Sequence, residues 1–166
     1  MRRQENKPYR LQRWKHFLLP EELADFPITC TMDMVNQRVI RTDAERTRNK
    51  QLSKTEKGML ELLLTYYCKQ ESIYYKQGLN EVLAPFMLFM RDGVSMCNVY
   101  LYFKQFISLY LPSMFVDKEF KALQTQFLLF RLLIRYFDSE ISVFLAAHNI
   151  EPELYCMPWF LTLLAR

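Results

Sequence analysis

Ser53-Lys-Thr-Glu56 is a capping box, and behind it Met59, Leu62, Leu63, Tyr66 and Tyr67 recur at three- and four-residue spacing. A serine hydroxyl and a glutamate carboxylate at that separation satisfy the first free N–H groups of a helix, and the apolar stripe gives it a face to bury. The same reading extends along most of the chain. Pro8 opens a first helix carrying Trp14, Phe17 and Leu18, stopped at Pro20. Residues 25–52 are polar and irregular and predict little regular structure. A helix from about Leu79 to Met90 should end at Gly93 and bend at Pro85. Further helices are expected over 95–111, ended by Pro112, and over 118–137, capped by Asp117. Two shorter ones begin at Ser139 and Pro152. No stretch alternates with period two, and no Asn-Gly hairpin signal occurs, so the fold class is all-α.

At 166 residues, 51% of them hydrophobic, the chain suits one domain with a substantial core. The net charge of +4 comes mostly from the first 60 residues and favours anionic partners without choosing among them. Cys30, Cys68, Cys97 and Cys156 form no CxxC pair, and His16 and His148 lie far from them. Zinc ligation is therefore not indicated, no metal site is expected, and free thiols in a reducing compartment are the reading. The basic N-terminus lacks the apolar stretch of a signal peptide, and Lys104, Arg131 and Arg135 interrupt the longest apolar runs. These features predict a cytoplasmic or membrane-peripheral chain with no transmembrane segment.

The usual catalytic signatures do not occur: there is no GxSxG elbow, no phosphate-binding GxxxxGK[ST] loop and no glycine-rich cradle. Two polar clusters stand out instead, IRTDAERT at 40–47 and YKQGLN at 75–80. In the first, Ile40, Asp43 and Arg46 are spaced three apart on one helical face. Asp–Arg pairs at that spacing are ordinary surface decoration. A carboxylate can equally orient a guanidinium toward an anion, and the planar fork of arginine suits phosphate. In the second, glycine stands at the mouth of a helix, where Gly and Asn are normal turn residues. Glycine there also lets another backbone or a ligand approach closely, and the amide of Gln77 can both donate to and accept from a water.

Taken together, the clusters resemble a known family. IRTDAER fits IxxDxxR, and YKQGLN fits YxQGxN with Leu79 where methionine is more usual. Upstream, Arg10-Leu-Gln-Arg-Trp14 fits RxxxW, and Pro152-Glu-Leu-Tyr155 and Trp159-Phe-Leu-Thr-Leu163 also look like the family's later helix. IxxDxxR alone should arise by chance in about one chain of this length in fifty. All three motifs in order resemble the TBC domain, the all-helical catalytic domain of Rab GTPase-activating proteins, over about residues 8–166.

The resemblance implies an activator of a Rab-type GTPase rather than an enzyme in its own right, acting in vesicle trafficking. Arg46 would be an arginine finger directed at the phosphates of GTP, and Gln77 a glutamine finger orienting the attacking water. Asp43 would hold the Arg46 loop, while Tyr75 and Asn80 shape the glutamine turn and Gly78 keeps its backbone clear of the partner. Arg10, Trp14 and Ile40 would serve packing. The partner implied by the resemblance would be a Rab-family GTPase in its GTP-bound state. The chain would need no cofactor, since GTP and Mg²⁺ belong to that partner. Any endomembrane association would be peripheral, through the partner.

TBC domains usually continue well past the segment WFLTLLAR. The sequence is therefore expected to be the N-terminal lobe of a single, partial domain with the C-terminal lobe largely missing. Trp159, Phe160, Leu161, Leu163 and Leu164 would then lack a covering layer, and the chain made alone should be poorly soluble or weakly active. The alternative function is a catalytically weak or inactive module that binds a Rab or another protein. A basic helical nucleic-acid binder is the remaining class, opposed by the lack of a recognition-helix motif and by aromatics patterned as core.

Overall fold

The capping box forms in the structure, a computed structural model that describes residues 7–18, 26–117 and 119–164. Ser53 Oγ accepts the Glu56 N–H at 3.2 Å, and Glu56 Oε2 accepts the Ser53 N–H at 2.7 Å. Arg91 adds a guanidinium to the same carboxylate and holds it well below the usual carboxylate range, at about 2. Helix α3 (Lys54–Gln70) starts there and buries Leu60, Leu63, Leu64, Tyr67 and Cys68. It lies at the centre of the fold, packed against α2 (Gln37–Arg46), α4 (Leu79–Met87) and α5 (Met96–Tyr110). Helix α1 (Lys7–Leu18) lies on α5. Among the described residues there are eight α-helices, one short 3-10 segment and no strand.

Aromatic side chains fill the space between these helices. Tyr67 meets Phe103 edge-on at 5.0 Å, and Trp14 of α1 stands 5.6 Å from Phe86 and 6.2 Å from Phe106. Edge-to-face pairs of this kind add about 0.5–1.5 kcal/mol each beyond burial. Trp14 thereby packs as the anchor of α1, and Ile40 is fully buried on the inner face of α2. Arg10 falls within α1, but its side chain lies outside the described residues, as does Pro20.

Helix α2 departs from the expectation of little regular structure over 25–52. Its buried face is Gln37, Ile40, Asp43 and Ala44, half of it polar, so the apolar period is faint. The polar members are compensated: Gln37 Nε2 donates to Glu61 Oε1 at 2.8 Å and to Thr65 Oγ1 at 3.0 Å, both on α3. Helix α4 is shorter than expected. Three residues after Pro85 it tightens into a 3-10 segment, Leu88–Asp92, which Gly93 closes with φ +83°. Proline removes a backbone donor and crowds the preceding turn, which favours such tightening.

Helices α6 (Lys121–Phe137), α7 (Ser139–Ala147) and α8 (Pro152–Leu161) form a second group around α6. Asp117 does not cap a helix beginning at 118. Phe120 intervenes with a left-handed φ of +54°, and α6 starts at Lys121, whose N–H still reaches Asp117 Oδ2 at 2.5 Å. Leu128, Leu129, Leu132 and Leu133 of α6 are exposed, as are Leu154, Trp159, Leu163 and Leu164 at α8. Among the described residues no helix is long and apolar enough to cross a membrane. Cys68, Cys97 and Cys156 are buried, Cys30 is half-buried, and all four are free thiols.

Candidate functional site

The two polar clusters meet at one cleft. Helix α2 ends at Arg46, and the turn Tyr75–Gly78 delivers Gln77 just ahead of α4. Both residues line a cavity of about 570 Å³, together with Thr47, Arg48, Glu81 and the C-terminal end of α8. Arg46 and Gln77 are exposed, whereas Asp43, Tyr75, Gly78 and Asn80 behind them are buried. Among the described residues, neither the Arg46 nor the Gln77 side chain has a hydrogen-bond or ion-pair partner.

The buried residues form a chain of hydrogen bonds in which every donor is used once. The Tyr75 hydroxyl donates to Asp43 Oδ2 at 2.9 Å. Asn80 Oδ1, also 3.1 Å from that hydroxyl, receives the Gly78 N–H at 3.0 Å. Asn80 Nδ2 donates to Thr47 Oγ1 at 2.8 Å, and the Thr47 hydroxyl donates to the Asp43 carbonyl at 2.6 Å. The end of α2 and the start of α4 are thus tied through side chains that water does not reach. Burial, and then the Asp43 carboxylate, pushes the Tyr75 phenol far above its ordinary value, so it remains a proton donor. Outside this chain, Asn36 Nδ2 holds the Tyr75 carbonyl at 3.1 Å.

Gly78 has φ +110°, a conformation that L side chains rarely adopt, and a Cβ there would stand 3.1 Å from the Leu161 carbonyl oxygen. A contact within the chain adds its own requirement for glycine, beside the clearance from a partner that the resemblance implies. The close neighbour in the structure is α8 of the same chain, so the glycine is required for the turn to seat on that helix. Arg48 follows with φ +43°, its Nε 3.9 Å from Glu81 Oε2 on α4. Two arginines therefore border the cleft, with one carboxylate near Arg48 and that of Asp43 buried behind Arg46. An oxyanion entering there meets cationic, hydrogen-bonding groups on a fixed frame.

Thr47 and Asn36 were missed by sequence reasoning. Thr47 carried a weak signal, since a threonine closing a helix often bonds back to the carbonyl four residues earlier, as here. Asn36 carried none, because its partner lies 39 residues away. No group of three or more potential metal ligands is found among the described residues.

Comparison with known proteins points in one direction. The family model of the Rab-GTPase-TBC domain matches residues 9–166. A TBC domain-containing protein kinase-like protein from Dictyostelium discoideum is 31% identical over 93 residues, 55% of this chain and 9% of that protein. The protein of the same description from Homo sapiens is 28% identical over 102 residues, 61% of this chain and 11% of that protein. TBC1 domain family member 4 from Mus musculus is 29% identical over 117 residues, 69% of this chain and 8% of that protein. The chain spans about a tenth of the length of these relatives.

Proposed function

Because the chain belongs to the Rab-GTPase-TBC domain family, we propose that it stimulates GTP hydrolysis by a Rab-type GTPase in its GTP-bound state, with Arg46 and Gln77 supplied in trans. The observation that carries this reading is the pairing of those two exposed, unengaged side chains at one cleft, on a frame of buried hydrogen bonds. Hydrolysis adds water to the γ-phosphorus and releases GDP and phosphate, and negative charge shifts onto the leaving oxygen. A guanidinium placed there neutralises that charge, a contribution on the order of 10³–10⁵ in rate when it arrives from outside the GTPase. The carboxamide of Gln77 can accept a hydrogen bond from the attacking water through its oxygen and donate one to a phosphate oxygen through its nitrogen, which aligns the nucleophile.

Asp43 and Thr47 set the Arg46 end of this arrangement, and Tyr75, Gly78 and Asn80 set the Gln77 end. GTP and Mg²⁺ belong to the GTPase, so the chain acts as an activator without a cofactor of its own. The setting that follows is vesicle trafficking in the cytoplasm or at the surface of endomembranes, reached through the partner.

The test is phosphate release from a panel of GTP-loaded Rab proteins with the full chain, the Arg46→Ala chain and the Gln77→Ala chain. Acceleration of at least one Rab that both variants abolish supports the reading. Binding of a GTP-loaded Rab without acceleration replaces the activator with a binding module.

A further inference from the structure

Lys76 directly precedes Gln77, yet its side chain is engaged elsewhere. It is half-buried and extends to the segment before α6, where Nζ donates to the Asp117 carbonyl and stands 4.0 Å from the centroid of the Phe120 ring. Asp117 is fixed at the same time by the backbone it caps: Oδ1 accepts the Glu119 N–H at 3.0 Å and Oδ2 accepts the Lys121 N–H at 2.5 Å. The lysine is therefore attached to a backbone carbonyl just ahead of α6 rather than to a carboxylate. Burial lowers its pKa and the nearby Asp117 charge opposes that, as expected for an ammonium partly withdrawn from water.

Every residue bordering Gln77 is anchored, and the anchors differ in direction. Tyr75 is held to Asn36 and Asp43, on the α2 side, and Gly78 is held by Asn80 at the start of α4. The Lys76 side chain links the turn to the α6 group instead. Within the turn, the Leu79 N–H donates to the Lys76 carbonyl at 3.3 Å, at the long end for such a bond. Among the described residues the Gln77 side chain has no partner of its own, so its direction depends on how the flanking residues are held.

We propose that Lys76 is a positioning residue for Gln77: its contacts with Asp117 and Phe120 pin the turn to the start of α6 and set the direction in which Gln77 enters the cleft. The inference rests on the reading of Gln77 as the water-orienting group. Lys76 itself points away from the cleft and touches nothing that reacts. The link is a second connection between the α6–α8 group and the turn, beside the seat of Gly78 on Leu161.

The experiment uses the full chain and the GTP-loaded Rab that responds best in the panel. Lys76→Met keeps the length and apolar stem but removes the charge and donors. It should lower the maximal stimulated rate roughly 10-fold while barely moving the half-saturating chain concentration, because misplacing an attacking group by about 1 Å acts on the chemical step. Lys76→Arg, which retains cation and donors, should recover most of the rate. The Lys76→Met/Gln77→Ala double variant should be no slower than Gln77→Ala alone. A Lys76→Met rate within about twofold of wild type, or a double variant in which the two losses multiply, overturns the proposal.

Amide exchange in the chain alone separates this from a failure of the glutamine reading. Lys76→Met should speed exchange at Gly78 and Leu79 and leave α3 unchanged. Unaltered exchange at Gly78 and Leu79, or faster exchange throughout α3, counts against Lys76 even if Gln77 proves to play no part in hydrolysis.

Discussion

Tyr75→Phe isolates the buried hydrogen bond that ties the glutamine turn to α2. Phenylalanine refills the ring volume, so no cavity opens and the only atom lost is the hydroxyl oxygen. Tyr75 is 6% exposed and Asp43 is 8% exposed, so water cannot readily replace the missing donor. Asn80 Oδ1 keeps its bond from the Gly78 N–H, which leaves Asp43 Oδ2 as the single orphaned acceptor. A hydrogen bond to a charged group contributes about 1.5–3 kcal/mol net, and that sets the expected loss. For a chain of this length about 2 kcal/mol lowers the melting temperature by roughly 4–8 °C.

The assay is thermal unfolding followed by circular dichroism, with a double-mutant cycle to assign the cause. In an Asp43→Asn background the acceptor is neutral, so Tyr75→Phe should cost only about 1 kcal/mol. Tyr74→Phe is the control, because Tyr74 is 64% exposed and its change should stay within about 0.5 kcal/mol. A Tyr75→Phe chain that melts within about 1 °C of wild type, or costs that add without coupling, would falsify the assignment of a charge-assisted bond between these residues.

Other expectations follow from single features. Arg46→Lys keeps the charge and loses the planar fork, so stimulated phosphate release should fall on the order of 10²-fold or more with helical circular dichroism unchanged; near-normal activity removes Arg46 from the finger role. Gln77→Ala should hurt stimulated hydrolysis more than replacing the GTPase's own switch glutamine does, and the reverse ranking assigns water positioning to the GTPase. Gly78→Ala places a Cβ 3.1 Å from the Leu161 carbonyl oxygen at φ +110° and should destabilise by about 2 kcal/mol or more in urea unfolding, whereas a neutral effect means that α8 yields. Glu56 has its pKa lowered from 4.5 to about 2, chiefly by Arg91, so its contribution is present above pH 4.5 and fades as pH falls toward 2. Glu56→Gln should therefore be less stable than wild type at pH 7 and converge with it near pH 2, and a constant difference across that range contradicts the assignment.

The helices were legible where local chemistry and burial agree. At α3 a capping box, a good helical composition and an apolar stripe state the same thing, and the helix begins where they place it. They part at α2. Gln37 and Asp43 face inward because Glu61, Thr65 and Tyr75 await them, and a rule that counts apolar residues cannot see partners 24 to 32 positions away. The start of α6 was obscured in a similar way. Asp117 is a good capping residue, but the left-handed Phe120 shifts the first helical residue to Lys121, and nothing local to a phenylalanine announces that conformation.

The same separation explains what the sequence could say about the cleft. Asp43, Tyr75 and Asn80 each break a local preference: a buried carboxylate in a helix, a phenol in a dry turn, an amide in the first turn of a helix. Read singly, each has an ordinary explanation in turn and surface chemistry. Joined, each cancels another's cost, since the carboxylate accepts the phenol's hydrogen bond and the amide serves both Gly78 and Thr47. Cores built only for stability seldom gather so many polar groups whose satisfaction depends on one another, because losing any member leaves the rest unsatisfied. What this ring of bonds fixes in space is the backbone on either side of Arg46 and Gln77, two side chains it does not itself engage. A stability argument gives no reason to immobilise the supports of two free side chains; a site that must present both to one ligand does.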